Sequence, residues 1–211
     1  MRGASVYQLL VEGKDDVKVI GALCTKHTLP DVINIETPKD EGIEALLRQL
    51  PIKLREENWR TLGIVVDADQ DISARWQAVK DRLAANGYAD IPSSPPLTGW
   101  ISSTLPKRVG VWLMPDNRNL GMLEDFARHL IPDNDPLLPK AEKVLNEIES
   151  EKFNRYSLVH RPKALIHTWL AWQEKPGMPM GQAITAQVLL HNAEISNSFI
   201  AWLKRLFDLP A

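Results

Sequence analysis

The chain has 211 residues, of which 44% are hydrophobic and 25% are charged. This length suits one domain, with or without an extension, and the composition excludes a disordered, collagen-like or coiled-coil chain. No apolar run approaches the roughly 18 residues that a membrane helix needs, and the N-terminal segment is typical of a strand rather than of a signal peptide. Because the single cysteine, Cys24, cannot form an internal disulfide, we expect a cytoplasmic protein with no membrane association.

The net charge of −2 does not suggest a protein that coats nucleic acid. The charge is unevenly distributed, however: residues 151–211 carry seven basic and four acidic residues, whereas acidic residues are in excess before them. An acidic centre beside a mildly basic surface fits metal-assisted chemistry on phosphates. Chance variation in composition would explain the same small asymmetry.

The first ninety residues alternate between predicted strands and predicted helices. Apolar, β-branched segments predict three strands, at residues 5–11, 32–36 and 61–66. Helical spacing predicts a helix after each strand, the first ending near residue 27 and the others covering residues 41–58 and 72–86. We expect Asp15 or Asp16 to cap the first helix, Pro51 to kink or divide the second, and Asp71 to cap the third. This alternation predicts a parallel sheet with helical crossovers.

The remainder of the chain changes from mixed to helical structure. Two more strands are predicted at residues 100–103 and 108–114, followed by a helix at residues 120–130. From residue 136 onward the pattern predicts only helices, at residues 138–150, 162–173, 182–190 and 196–207. Proline, aspartate and asparagine at residues 131–136 interrupt both neighbouring segments. We therefore predict an α/β domain at residues 1–132 and a helical extension packed on it at residues 133–211.

Three carboxylates directly follow two of the predicted strands. Glu12 follows the first strand, and Asp67 and Asp69 follow the third. Ligands of open parallel sheets bind at the carboxyl ends of the strands, and in an extended segment Asp67 and Asp69 would leave the chain on one side. Converging carboxylate oxygens are the ligands that Mg²⁺ or Mn²⁺ require. The Asp-x-Asp segment taken alone is equally compatible with a solvated turn that caps a helix.

The segments LLVEGKDD and IVVDADQD, which contain these acids, resemble the two motifs of the Toprim domain. That domain occurs in topoisomerases, bacterial primases, the maturase of small ribosomal RNA and the overcoming-lysogenization-defect nucleases. The resemblance covers residues 5–86 and extends more loosely to about residue 130. It implies a Toprim-like Rossmannoid parallel sheet flanked by helices, a metal held by Asp67 and Asp69, and Glu12 as a further ligand or a general base. All three would be catalytic.

Two further acids match the overcoming-lysogenization-defect branch of that family. Asp16 stands four residues after Glu12, where this branch carries an extra acid, and the GMLED segment at residues 121–125 resembles its later acidic element. The resemblance therefore implies that Asp16 and Glu124 also bind metal. If residues 109–114 form a parallel strand, the loop after it reaches the same sheet edge as Glu12. Glu124 could instead only stabilise the start of a helix.

Three basic residues are candidates for phosphate binding. Lys14 follows Glu12 in the predicted turn, and Arg161 and Lys163 lie at the start of a predicted helix, where phosphates can bind. For each of them a solvated surface position is the alternative. Topoisomerase activity is not expected because no tyrosine has a convincing catalytic context. A primase-type zinc element is excluded because the chain has one cysteine.

The function that these features predict is Mg²⁺- or Mn²⁺-dependent cleavage of a phosphodiester in nucleic acid. Two alternatives remain open: a non-catalytic module that binds nucleotide, nucleic acid or protein through the same acidic crevice, and a hydrolase of small phosphate esters. Nucleic acid is the expected partner, and the sequence also allows a homo-oligomer or a protein partner.

Overall fold

The computed structural model describes residues 6–103 and 106–210. Its sheet contains five strands, which are β1 (Tyr7–Leu10), β2 (Ile33–Glu36), β3 (Thr61–Asp67), β4 (Trp100–Ile101) and β5 (Arg108–Met114). Their order across the sheet is β2-β1-β3-β5-β4. Four of them run parallel, and β4 pairs antiparallel with β5 at one edge. The α/β class is therefore confirmed, with a mostly parallel sheet.

The helices of the described residues lie between and after these strands. They are α1 (Lys14–Lys26), α2 (Ile43–Arg55), α3 (Ile72–Ala84), α4 (Leu123–Arg128), α5 (Leu138–Ser150), α6 (Arg161–Ala171), α7 (Met180–Thr185) and α8 (Glu194–Phe207). A short 3₁₀ helix at Leu158–His160 precedes α6. None of the helices described has both the length and the apolar character needed to cross a membrane.

Helices cover both faces of the sheet because successive strand residues point to opposite sides. Ile64 and Val66 of β3 belong to a core that also contains the leucines of α2 and Trp76 of α3. Val65, between them, belongs to a second core that includes Trp112 of β5 and residues of α1 and α4–α8. The C-terminal helices thus pack on one face of the sheet, and the division at residues 132–133 stays a prediction.

Several predicted elements differ in detail from the structure. α2 is a single helix through Pro51, which does not divide it, because Leu46, Leu47, Leu50 and Leu54 keep one face buried along its whole length. The predicted strand at residues 100–103 is only Trp100–Ile101, since the Ser102 hydroxyl then accepts the Val109 N–H. In the predicted strand at residues 5–11, residue 5 lies outside the described residues.

Two helix starts test the expected capping. The N-cap of α1 is Gly13 rather than Asp15 or Asp16, and the Asp16 carboxylate instead accepts the Gly13 N–H from the first turn. The predicted cap of α3 is confirmed, because Asp71 Oδ1 accepts the Ala74 N–H at 2.9 Å. Asp16 therefore faces the strand end from within α1, and Asp71 is used in helix capping.

The close approach of α7 to α1 depends on a glycine. A Cβ at Gly181 would lie 2.7 Å from the Lys18 carbonyl oxygen, so a side chain there would push the two helix backbones apart. Gly21 in α1 has open space around its Cβ position. The two glycines therefore differ in packing although both lie in helices.

Gly181→Ala should lower the free energy of unfolding by about 1–3 kcal/mol, because overpacking against backbone outweighs the helix preference of alanine. Gly21→Ala, the matched control, should raise it by roughly 0.5–1 kcal/mol. Urea unfolding followed by circular dichroism measures both. Equal changes in the two variants would contradict the packing explanation.

Candidate functional site

Four acids meet at the carboxyl edge of the parallel strands. Glu12 follows β1, and Asp67 ends β3. β5 pairs in parallel with β3 up to Met114, so the chain after it returns to this edge and enters α4, which carries Glu124. Asp16 reaches the same place from the first turn of α1. We refer to Glu12, Asp16, Asp67 and Glu124 as the acidic cluster.

Backbone N–H groups hold three of these carboxylates in place. Glu12 Oε1 accepts the Asp67 N–H at 2.8 Å, and Asp67 Oδ1 accepts the Leu123 N–H at 3.0 Å. Asp16 Oδ2 accepts the Gly13 N–H at 3.2 Å. A carboxylate has two oxygens, so each of the three is fixed through one and can offer the other to a ligand.

Burial makes the negative charge of the acidic cluster costly. It raises the pKa of Glu12 to about 7, although the hydrogen bond from Asp67 N–H and the charge of Arg75 act in the opposite direction. It also raises the pKa of Asp16 to about 7, with repulsion from Glu12 and Glu124 adding to the effect. The pKa of Asp67 lies well above its usual range, because of burial first and of repulsion by the other acids second. A bound cation would remove this repulsion.

The prediction that Asp67 and Asp69 lie in one extended segment requires the strand to continue to Asp69, and it does not. The backbone of Asp69 is left-handed, with φ of 51°, and its N–H and C=O both bond to Gly121, at 2.8 and 2.9 Å. The expectation that Asp67 and Asp69 leave an extended segment side by side is therefore wrong. Asp69 is nevertheless near the acidic cluster, where its charge adds to burial in raising the pKa of Asp67.

Arg75, at the end of the first turn of α3, was not predicted as a site residue. Its guanidinium forms an ion pair with the Asp69 carboxylate, and the Arg75 side chain is only 15% exposed. The Nε of Arg75 is buried and has no hydrogen-bond partner among the residues that the structure describes. Its position in the sequence could have indicated a role at the site, because the first turns of a helix that follows an acidic strand end can face back toward that end.

The structure brings one of the three predicted phosphate-binding residues to the acidic cluster. Lys163 Nζ lies 3.4 Å from Glu124 Oε1. Burial lowers the pKa of Lys163, but the charges of Glu124 and Asp67 raise it more, so the net change is upward. Lys14 instead pairs with Glu41 at 2.6 Å.

Arg161, the third predicted phosphate-binding residue, is held by other partners. Its guanidinium Nε lies 3.0 Å from Glu149 Oε1, and its Nη2 donates to Asn146 Oδ1 at 2.8 Å. Both partners belong to α5, so Arg161 links α5 to the start of α6. Its contacts are those of a structural ion pair.

An apolar groove lies beside Asp69. It has a volume of about 450 Å³, and its walls include Leu120, Met122, Leu158 and Val159. Leu120 and Leu158 are exposed. This groove gives an organic group a place to bind next to the acidic cluster.

The chemistry of the acidic cluster fits a hard divalent cation. Mg²⁺ and Mn²⁺ prefer oxygen ligands, and every member of the cluster is a carboxylate. As the side chains stand, no three acidic, histidine or cysteine groups within residues 6–103 and 106–210 form a ready coordination set. The donor type therefore fits, and side-chain rotation would have to bring the second oxygens together.

A family model described as "Protein of unknown function (DUF3226)" matches residues 6–208. The search of curated proteins and the search of solved structures each gave no match. Function is therefore inferred from the acidic cluster and its surroundings.

Asp16→Asn should stabilise the metal-free protein at pH 8 and change it little at pH 4. Burial raises the pKa of Asp16 to about 7, so the stability that its protonated form provides is complete at acidic pH, below the ordinary range of an aspartate, and is lost as the pH rises through 7. Asparagine can still accept the Gly13 N–H. The measurement is urea unfolding in EDTA across this range.

The matched control is Asp15→Asn, which removes an exposed carboxylate from the same helical turn. It should leave the pH dependence of unfolding as in the wild type. A pH dependence unchanged by Asp16→Asn would show that burial of Asp16 does not destabilise the charged cluster.

Proposed function

The chain belongs to the DUF3226 family, and we propose that it is a divalent-metal-dependent enzyme that cleaves phosphodiester bonds in nucleic acid, as Toprim-type nucleases do. One observation carries the proposal: buried or half-buried acids that follow β1, end β3 and begin α4 converge at the carboxyl edge of a parallel sheet. Ligands of open α/β sheets bind at this edge. Buried like charges with raised pKa values are typical of functional sites, because they are costly elsewhere.

The acidic cluster is the proposed metal site. Glu12, Asp16, Asp67 and Glu124 would hold Mg²⁺ or Mn²⁺, and Asp69 would join them on leaving Arg75. The bound ion supplies a Lewis acid for the phosphate and lowers the pKa of bound water. The Toprim-like interpretation of the sheet is part of this proposal, supported by acids at the ends of β1 and β3 in the order of the two motifs.

Glu12 is the candidate general base. Its pKa of about 7 lies near neutral pH, where a base can both accept a proton from water and release it again. The hydrogen bond from Asp67 N–H fixes one oxygen of Glu12, so that the other can face a water molecule. Glu12 could serve as a metal ligand with the same geometry, and both roles need its negative charge.

Arg75 and Lys163 are the proposed phosphate-binding groups. Each pairs with an acid at the cluster, Asp69 and Glu124 respectively. A guanidinium can donate two parallel hydrogen bonds to a phosphate, and the Nε of Arg75 has no other partner among the described residues. A phosphate at the acidic cluster would therefore meet two cations.

Hydrolysis of a small phosphate ester is the second candidate function. The apolar groove beside Asp69 supports it, since a volume of about 450 Å³ suits a single nucleotide. The same groove would accept one base of a longer strand. A substrate panel separates these two candidates.

Asp67→Asn should weaken Mn²⁺ binding about tenfold or more, because it removes a charged ligand while its amide oxygen can keep the Leu123 N–H bond. Isothermal titration calorimetry with Mn²⁺ measures this. Asp71→Asn is the matched control: it makes the same change in the following loop, where the carboxylate only caps α3. Equal affinities of wild type and Asp67→Asn would remove Asp67 from the metal site.

Wild-type protein with Mn²⁺ should cleave at least one member of a panel of single- and double-stranded DNA, RNA and nucleotides. Glu12→Gln should lower that rate by about 10²-fold or more, the usual contribution of a general base. Glu44→Gln, on the exposed side of α2, is the control and should retain full activity. Metal binding without cleavage of any substrate would favour the non-catalytic binding module.

A further inference from the structure

A second cavity, of about 600 Å³, lies between the end of β5, the residues after α4 and the start of α8. Its lining includes Trp112 of β5, Asp116 just after that strand, Asp133 after α4 and Glu194 at the first turn of α8. Of the described residues that line it, none belongs to the acidic cluster. The cavity is therefore separate from the proposed metal site.

Trp112 gives the cavity a buried hydrogen-bond donor. Its side chain is 1% exposed, and its ring packs against Phe199 and Trp202, with centroid distances of 5.4 and 5.7 Å. The indole Nε1 has no hydrogen-bond partner within the described part of the chain. Buried indole N–H groups usually have a partner, and an indole can only donate. A ligand that reaches the indole N–H from the cavity must therefore supply an acceptor oxygen.

Three carboxylates and one exposed histidine, His129, line this cavity. Asp133 and Glu194 are exposed, and Asp116 is partly buried. None of these three forms an ion pair with a basic residue in the described ranges. Backbone N–H groups of Arg118 and Asn119 hold the Asp116 carboxylate in its loop. Unpaired carboxylates around one opening attract a cation.

The lining of the cavity also includes apolar side chains. Ile131, Leu190 and Ile195 are among them. They suit a hydrocarbon segment, and the volume is far larger than a bare metal ion needs. The lining thus combines exposed carboxylates, apolar side chains and a tryptophan whose buried N–H has no partner among the described residues.

We propose that this cavity binds a small organic cation, an amine or guanidinium compound that carries a carbonyl oxygen at its other end. The cationic group pairs with Asp133 and Glu194. The hydrocarbon segment packs on Ile131, Leu190 and Ile195, and the carbonyl oxygen accepts the Trp112 N–H. This site is independent of the metal-dependent activity proposed above.

Argininamide is a probe that has all three features. It should bind to the full chain with a saturable 1:1 isotherm in calorimetry and should alter the tryptophan fluorescence. Asp133→Asn combined with Glu194→Gln should weaken binding about threefold to tenfold, the range expected for exposed ion pairs. Asp40→Asn combined with Glu57→Gln changes the net charge equally at exposed positions outside the cavity lining and should leave the affinity unchanged.

Agmatine tests the role of Trp112 without altering the core. It has the guanidinium, hydrocarbon chain and amine of argininamide but lacks the carboxamide, so it has no carbonyl oxygen, and its amine is more fully protonated at neutral pH. The proposal predicts weaker binding of agmatine despite its greater charge. Absence of saturable argininamide binding, equal weakening in the two double variants, or agmatine binding at least as tight as argininamide would each overturn the proposal.

Discussion

The hydrogen bond from Asp67 N–H to Glu12 Oε1 is the contact on which the candidate site depends. It joins the chain just after β1 to the last residue of β3, and the bond from Leu123 N–H to Asp67 Oδ1 extends the connection to α4. Because these groups are buried or partly buried, losing either partner would leave a polar atom unsatisfied. The backbone therefore assembles the acidic cluster, and in the proposed function a bound cation would balance its charge.

Burial raises the pKa values of Glu12, Asp16 and Asp67 and makes the acidic cluster a source of instability. The rest of the fold offsets this cost with two apolar layers, one built on the leucines of α2 and one on Trp112 and the C-terminal helices. α1 connects the acidic cluster to the C-terminal helices, since its first turn carries Asp16 and its next turn packs against Gly181 of α7. The helices after residue 136 thereby support the helix that delivers one of the acids.

Those parts of the site that follow strand ends could be predicted from sequence, whereas those that depend on distant partners could not. Apolar runs that end in Glu12 and Asp67 placed both acids correctly at the sheet edge, and the parallel pairing of β5 with β3 brought α4 there. The turn at Asp69 was missed because it depends on Gly121, about fifty residues later. Spacing along the chain contains no information about such a pairing.

The ion-pair partners of the basic side chains could likewise not be predicted from the neighbouring sequence. Lys14 follows Glu12 by only two residues, yet it pairs with Glu41 in a later loop. Lys163, which is distant in sequence, reaches Glu124 from α6. A side chain of several rotatable bonds follows the nearest opposite charge in space, and that charge is set by the topology. Long basic side chains are therefore the site residues that sequence reasoning places least well.

The ion pair between Asp69 and Arg75 has a further consequence within the proposed function. Arg75 acts as an internal counter-charge, since its guanidinium pairs with the Asp69 carboxylate. Burial, which raises the pKa of Glu12, and the hydrogen bond from Asp67 N–H, which lowers it, have the larger effects on that pKa, and the charge of Arg75 lowers it further. When Asp69 turns to a cation, Arg75 loses its partner and its donors become available to a phosphate. Binding free energies are reciprocal, so a phosphate on Arg75 must favour cation binding at Asp69 by the same factor. Substrate and metal would then strengthen each other's binding through one side-chain exchange.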